Sequence, residues 1–141
     1  PRYVALPLDA ADVALAVEFA AKNSMKVVTR SGGHQYCGLS SGGRNTLLLD
    51  MKLFGKVVFS PATGVPTQVT VGPGVALKDL SKKLLAKRVV IPHGECPLVR
   101  LGGHVQTGGI GHQLRSLGAT LDWVSSFKMV TRDPQSPTTN A

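Results

Sequence analysis

The sequence predicts an α/β fold, and three observations carry that reading. Val13, Ala16, Val17 and Ala20 form an apolar stripe at helical spacing, followed at once by the β-rich run Lys26 to Arg30 and the pair Gly32-Gly33. The same order returns later: Leu77, Leu80 and Leu84 at helical spacing, then Val89-Val90-Ile91-Pro92, then a second Gly-rich stretch. A repeated succession of helix, strand and glycine loop is what a layered α/β domain requires. Composition agrees, since 141 residues with 43% hydrophobic and 17% charged side chains suffice for one core and are too apolar for a disordered chain.

The elements follow in order. Asp9 is placed to cap a helix over Asp9 to Lys22, with Asp12 in the first turn and Asn23 as a left-handed stop. Lys26 to Arg30 is the first strand. Thr46 to Leu49, Lys56 to Phe59 and Thr67 to Val71 are three more, separated by turns such as Pro61-Ala62-Thr63-Gly64, and one sheet is the economical reading. Ala76 to Lys87 is the second helix, and Val89 to Pro92 reads as a buried strand. After the Gly-rich stretch from Gly94 to Gly111 come a short helix around Gln113 to Leu117 and a closing strand over Trp123 to Thr131. The tail Asp133 to Ala141 is polar and turn-forming with no apolar face, which leaves that last strand without a continuation.

Sixteen Lys and Arg against eight Asp and Glu leave +8, a balance that favours an anionic ligand or partner; nucleic acid, phosphate and plain solubility all satisfy it. The basic residues Lys78, Lys82, Lys83, Lys87 and Arg88 have no interleaved aromatic set, so a solvated helix face is expected there and nucleic acid is not expected as a partner. A non-catalytic basic module that binds nucleic acid or another anion is the alternative from a different class. No stretch approaches the roughly 18 apolar residues of a membrane span. Pro1-Arg2-Tyr3-Val4 lacks an initiator Met and signal-peptide architecture, so the natural N-terminus is expected to lie elsewhere. Cys37 and Cys96 are too few for a disulfide framework and lack metal-site spacing; no metal is expected, and they do not specify a compartment.

Glycine pairs after a strand let successive N–H groups converge on an anion, because residues without Cβ reach the conformations such a concavity needs. Ser31-Gly32-Gly33-His34 fits that use, and Gly102-Gly103-His104 with Gly108-Gly109-Ile110-Gly111 repeats it. Two such cradles suit a pyrophosphate; plain turns are the equal alternative. Neither is a Walker A loop or a dinucleotide fingerprint opening a helix after the first strand.

The wording of the loops adds to this. Arg30-Ser31-Gly32-Gly33-His34, with Gly38-Leu39-Ser40 downstream, resembles the flavin loop of the berberine bridge enzyme-like family. Gly94, Cys96, Gly102, Gly103, His104, Gly108, Gly109, Gly111, Arg115, Gly118 and Asp122 fall in the order of that family's second signature. The resemblance covers nearly the whole chain, but only the first part of the family's flavin domain.

It implies a PCMH-type FAD-binding domain of the vanillyl-alcohol oxidase group, α/β (α+β) with small mixed sheets flanked by helices. Residues 1–132 would form its N-terminal part and 133–141 a polar tail or truncated connection; the substrate domain is absent. FAD is the implied cofactor, bound bicovalently, with His34 on the 8α-methyl and Cys96 on C6 of the flavin ring. Imidazole nitrogen and thiolate are nucleophiles and the ring is electrophilic. Arg30, Ser31, Gly32, Gly33, His34, Gln35 and Ser40 are the implied cofactor contacts of the first loop. Cys96, Gly102, Gly103, His104, Gly108, Gly109 and Gly111 are those of the second.

The implied reaction is hydride transfer from a substrate carbon to flavin, with O2 as electron acceptor and H2O2 as product. The implied substrate is a small molecule. Carbohydrate is favoured on the short run Gly32-Gly33-His34-Gln35-Tyr36; alkaloid or other secondary-metabolite oxidation is the alternative. The catalytic base is expected outside this segment, which would then not turn over substrate by itself. Secretion is compatible with the resemblance. Arg100 and Thr107 stand where the family carries Gly, and Arg100 is a candidate contact to a phosphate or flavin carbonyl. The His104 side chain is expected to be structural; His93, His112 and Cys37 are assigned no role.

Overall fold

The computed structural model describes residues 1–132 and, for the backbone alone, the strand at 139–140. The chain divides into two compact units, residues 1–54 with 126–141, and residues 55–125.

The first unit holds β1 (Tyr3–Ala5), α1 (Ala10–Lys22), β2 (Lys26–Arg30) and β3 (Thr46–Asp50). Asp9 caps α1 as its sequence position suggests: its carboxylate accepts from Asp12 N at 3.0 Å, and Asp12 reaches back to accept from Leu8 N at 2.8 Å. The predicted stripe faces inward, with Val13 and Ala20 buried and Ala16 and Val17 packed on the same cluster. The left-handed stop falls one residue later than expected. Asn23 has φ −104° and closes the helix by donating its side-chain amide to Phe19 O at 2.8 Å, while Ser24 takes φ +51°.

The sheet order is β1-β3-β2, all parallel, with Tyr3 opposite Leu47 and Lys26 opposite Thr46. β3 is buried along its whole length, which explains the unbroken run Leu47-Leu48-Leu49 of a strand flanked by neighbours on both edges. Adjacent parallel strands need a long return connection. Residues 31–45 are that connection between β2 and β3, and they carry the first glycine loop. β1, a three-residue edge strand, carries no periodic signal that a sequence reading could use.

The second unit has its own sheet, which corrects the expectation of a single one. β4 (Val57–Ser60) and β5 (Gln68–Val71) pair antiparallel with each other. β3 already has a neighbour on each edge and no ladder position to offer β4. The hairpin alternates as a half-buried ribbon should: Val57, Phe59 and Val71 pack against Val75, Leu80 and Leu84 of the segment containing α2 (Leu77–Ala86).

Val89 to Pro92 is not a strand. Val89 and Ile91 pack on the α2 cluster and Val90 points outward, so the burial period of a strand is present. Among the described residues no partner strand pairs with it, and Pro92 has no N–H to give. α3 (Leu101–Gln106) and α4 (Leu114–Leu117) follow, then a 3-10 turn over Thr120–Trp123. That turn and the irregular 124–130 replace the predicted strand over Trp123 to Thr131. Of this stretch only β6 (Thr131–Arg132) is a paired strand; it pairs antiparallel with β7 (Thr139–Asn140), so the last strand does have a continuation. The expectation of a polar tail rests on side chains outside the described residues. No helix among the described residues is long and apolar enough to cross a membrane.

Candidate functional site

In the first unit the loop leaves β2 at Arg30. Arg30 Nη2 donates to Asp50 Oδ2 at 3.0 Å, tying the end of β2 to the end of β3, and Asp50 Oδ1 accepts from Lys52 N at 3.1 Å. Burial would raise the Asp50 carboxyl, but the Arg30 hydrogen bond, the Lys52 N–H and the charges of both residues outweigh it and hold the group below its ordinary value. Beyond this anchor the backbone turns through φ +71° at Gly33 and +72° at Gly38. A Cβ on Gly33 would stand 3.3 Å from Arg30 Cδ.

Two bonds hold the far side of the loop, Ser40 N to Gln35 Oε1 at 3.1 Å and Ser41 N to Gly38 O at 3.0 Å. Tyr36 and Cys37 form a hydrogen-bonded turn that engages the Gly38 N–H; among the described residues, the other backbone N–H groups from Gly32 to Leu39 have no intramolecular acceptor. His34 is exposed within this run, and Ser31 and Ser40 are half-buried at its ends. An exposed run of N–H donors with an exposed imidazole is compatible with an anionic cofactor. Of the predicted residues, Gln35 serves the loop itself and Arg30 serves as its anchor. Cys37 is exposed and free.

The second unit organises its glycines differently. Gly102 and Gly103 do not form a loop concavity; they lie inside α3, where Leu101 N donates to Val75 O at 2.9 Å and Gly102 N to Pro73 O at 3.0 Å. Those donors are therefore spent within the protein. Arg100, at the N-terminal end of α3, donates to Gly74 O from Nη1 at 2.6 Å.

Gly109 and Gly111 are close-approach positions. A Cβ on Gly109 would lie 2.3 Å from Thr120 Oγ1, and one on Gly111 would lie 2.0 Å from His93 O, so neither site admits a side chain. Gly108 and Gly109 take φ +90° and +75°, and their carbonyls accept from Leu121 N and Thr120 N. The buried Thr120 completes a polar knot, with Oγ1 2.8 Å from Pro92 O and 3.0 Å from Gly109 O. Gly118, at φ +79°, sits against Asp122, whose carboxylate accepts from Ala119 N at 2.8 Å. These contacts give a packing reason for Gly109 and Gly111, which the sequence reading assigned to cofactor contact.

The knot carries the exposed loop Glu95-Cys96-Pro97. Cys96 is free and exposed, and Glu95 pairs with His112 at 3.1 Å on the surface. The His104 side chain is engaged within the protein: its Nε2 accepts from Gly94 N at 2.9 Å. Burial, with a contribution from the charge of His93, lowers its pKa and favours the neutral ring that this bond requires.

Asp50, Thr120 and the His93–Ser81 pair are the polar residues that sequence reasoning missed. Asp50 left one signal, a carboxylate ending the apolar run of β3. Thr120 left none, because its partners are carbonyls of residues 28 and 11 positions away.

The profile of the family described as FAD binding domain matches residues 1–135, and the chain belongs to that family. Berberine bridge enzyme-like 12 of Arabidopsis thaliana is 34% identical over 138 residues, covering 96% of this chain and 26% of the relative. The xylooligosaccharide oxidase of Thermothelomyces thermophilus is 32% identical over 132 residues, covering 92% and 26%. Among solved structures, GilR, an oxidoreductase that catalyses the terminal step of gilvocarcin biosynthesis, superposes with a TM-score of 0.86 at 29% identity over 97% of this chain and 27% of its own. The resemblance to berberine bridge enzyme-like oxidases and the PCMH-type fold are thereby borne out. The chain spans about a quarter of the length of these relatives.

Proposed function

We propose that this chain is the cofactor-holding portion of an FAD-linked oxidase, with His34 and Cys96 as the two points of covalent attachment. The observation that carries the reading is the run of unengaged N–H donors from Gly32 to Cys37 around an exposed His34. These donors would bind the cofactor's phosphates, and the Arg30–Asp50 pair holds the loop that presents them. Gly103 and the 108–111 turn are further candidate contacts, with Gly109 and Gly111 acting through the shape of the packed backbone. Bound FAD supplies a two-electron acceptor for hydride from a substrate carbon, with O2 taking the electrons onward to give H2O2.

Carbohydrate is the favoured substrate class, on the Gly-Gly-His-Gln-Tyr wording and the relatives named as oligosaccharide oxidases. The base that removes the substrate's hydroxyl proton belongs to chain beyond these residues. Lys87, at the C-terminal cap of α2, is engaged with Ala62 O and lies over the Phe59 ring, which takes one cation out of the basic cluster.

Mass spectrometry of the chain expressed with ample FAD tests attachment. The expected result is an FAD-sized adduct mapped to His34 and Cys96, with one link lost in His34→Ala, the other in Cys96→Ala, and none left in the double variant. An unmodified mass for the folded wild-type chain would overturn it.

A further inference from the structure

Gly94 lies two residues before Cys96, and both of its backbone polar groups are held by imidazoles. Its N–H donates to His104 Nε2 at 2.9 Å, and its carbonyl accepts from His93 Nδ1 at 2.8 Å. A carbonyl oxygen only accepts, so His93 Nδ1 carries a proton. Nε2 of the neutral ring then accepts, 3.0 Å from Ser81 Oγ of α2; the single Ser81 hydroxyl hydrogen serves either this nitrogen or Leu77 O at 2.8 Å. His104 enters from α3.

The fit is tight: a Cβ on residue 94 would stand 2.6 Å from His104 Cε1 and 3.2 Å from Ile110 O. Cys96, by contrast, is exposed, and among the described residues its side chain has no hydrogen-bond partner. The backbone that carries this thiol is held upstream at Gly94 by the two imidazoles, and downstream by Val99 N donating to Cys96 O at 3.2 Å and Lys78 N to Pro97 O at 3.1 Å.

We propose that His93 and His104 act jointly as a clamp on the Gly94 backbone, and that this clamp is the positioning device for the thiol of Cys96. The inference rests on the reading of Cys96 as an attachment point. Forming the C–S bond removes one hydrogen from the thiol and one from the flavin ring; the two electrons and two protons leave to O2 as H2O2, the oxidant the proposed oxidase already uses. Neither imidazole touches the bond that forms. Their contribution is to hold the loop, which reduces the orientations the thiol must search.

Two measurements on the full chain test this, with His93→Leu and His104→Leu as disrupting variants. His93→Asn and His104→Gln restore an amide donor near Nδ1 and a carbonyl acceptor near Nε2. In flavin-free protein, amide exchange at Gly94 read by NMR should quicken at least tenfold in both Leu variants and return towards wild type in the conservative ones. Because His93 does not bond the Gly94 N–H, an unchanged rate in His93→Leu would refute joint action. In protein expressed with FAD, the Cys96 adduct should fall at least tenfold in both Leu variants while the His34 adduct stays, and the conservative variants should recover it. Full Cys96 adduct in the Leu variants would overturn the positioning role even if exchange had quickened. Absence of any Cys96 adduct in wild type would overturn both the attachment reading and the positioning role built on it, whereas an adduct in wild type that persists in the Leu variants overturns the positioning role alone.

Discussion

Replacing Thr120 by Val tests the polar knot beneath the Cys96 loop. The two side chains have nearly the same shape, so the change removes a hydroxyl without opening a cavity. Thr120 is 3% exposed, and its Oγ1 lies 2.8 Å from Pro92 O and 3.0 Å from Gly109 O. Gly109 O keeps a second donor, Thr120 N at 3.0 Å, but Pro92 O has no other donor among the described residues. A buried acceptor left unmade costs about 1–3 kcal/mol, and the added methyl returns up to about 0.8 kcal/mol. The expected net loss is about 1–2 kcal/mol. With a urea dependence of about 2 kcal/mol/M, this lowers the unfolding midpoint by roughly 0.5–1 M. Trp123, three residues on and bonded through Nε1 to Leu117 O at 2.7 Å, is the single Trp of the chain and reports the transition by fluorescence. A midpoint within 0.1 M of wild type would show that the Pro92 carbonyl is not held by Thr120, and the knot would lose its central bond.

Two further outcomes follow from the same packing and charges. Leu80, fully buried between α2 and the β4–β5 hairpin, should cost about 2–5 kcal/mol when cut to Ala, and urea unfolding with a loss below 1 kcal/mol would contradict its central place. Asp50 contributes stability that is fully present above its ordinary carboxyl value of 3.8 and is lost as pH falls through its lower folded value. Asp50→Asn should therefore be less stable than wild type at pH 7, with the gap narrowing steadily as the pH is taken from 4 towards 2.5; a constant gap in urea midpoints across that range would remove the Arg30–Asp50 pair as the anchor of the first loop.

Much of the architecture was legible because it is written in local periodicity. The α1 stripe, its Asp9 cap and the leucines of α2 lie where their spacing places them, since a helix buries one face whatever it packs against. Segments whose state depends on a partner were not legible in this way. Val89 to Pro92 has the apolar content of a strand and lacks a strand beside it. Thr131 lies in a paired strand, while residues 124–130 before it do not. The sheet count failed for the same reason: β3 takes both its neighbours from the parallel set, and no local feature of β4 announces that its partner among the described residues is β5 alone.

The sequence by itself determined the family and the nature of the ligand. Two glycine-rich signatures with a His in one and a Cys in the other are chemical wording that survives without coordinates, and the match over residues 1–135 agrees with it. What each glycine does was decided only by tertiary structure. Gly33 and Gly38 bend an exposed loop in which the N–H groups from Gly32 to Cys37 remain unengaged, whereas Gly94, Gly109 and Gly111 exist because His104, Thr120 and the His93 carbonyl occupy the space a Cβ would need. A missing side chain looks the same in a sequence whether it makes room for a ligand or for the protein's own backbone. Only the positions of the neighbouring atoms separate the two.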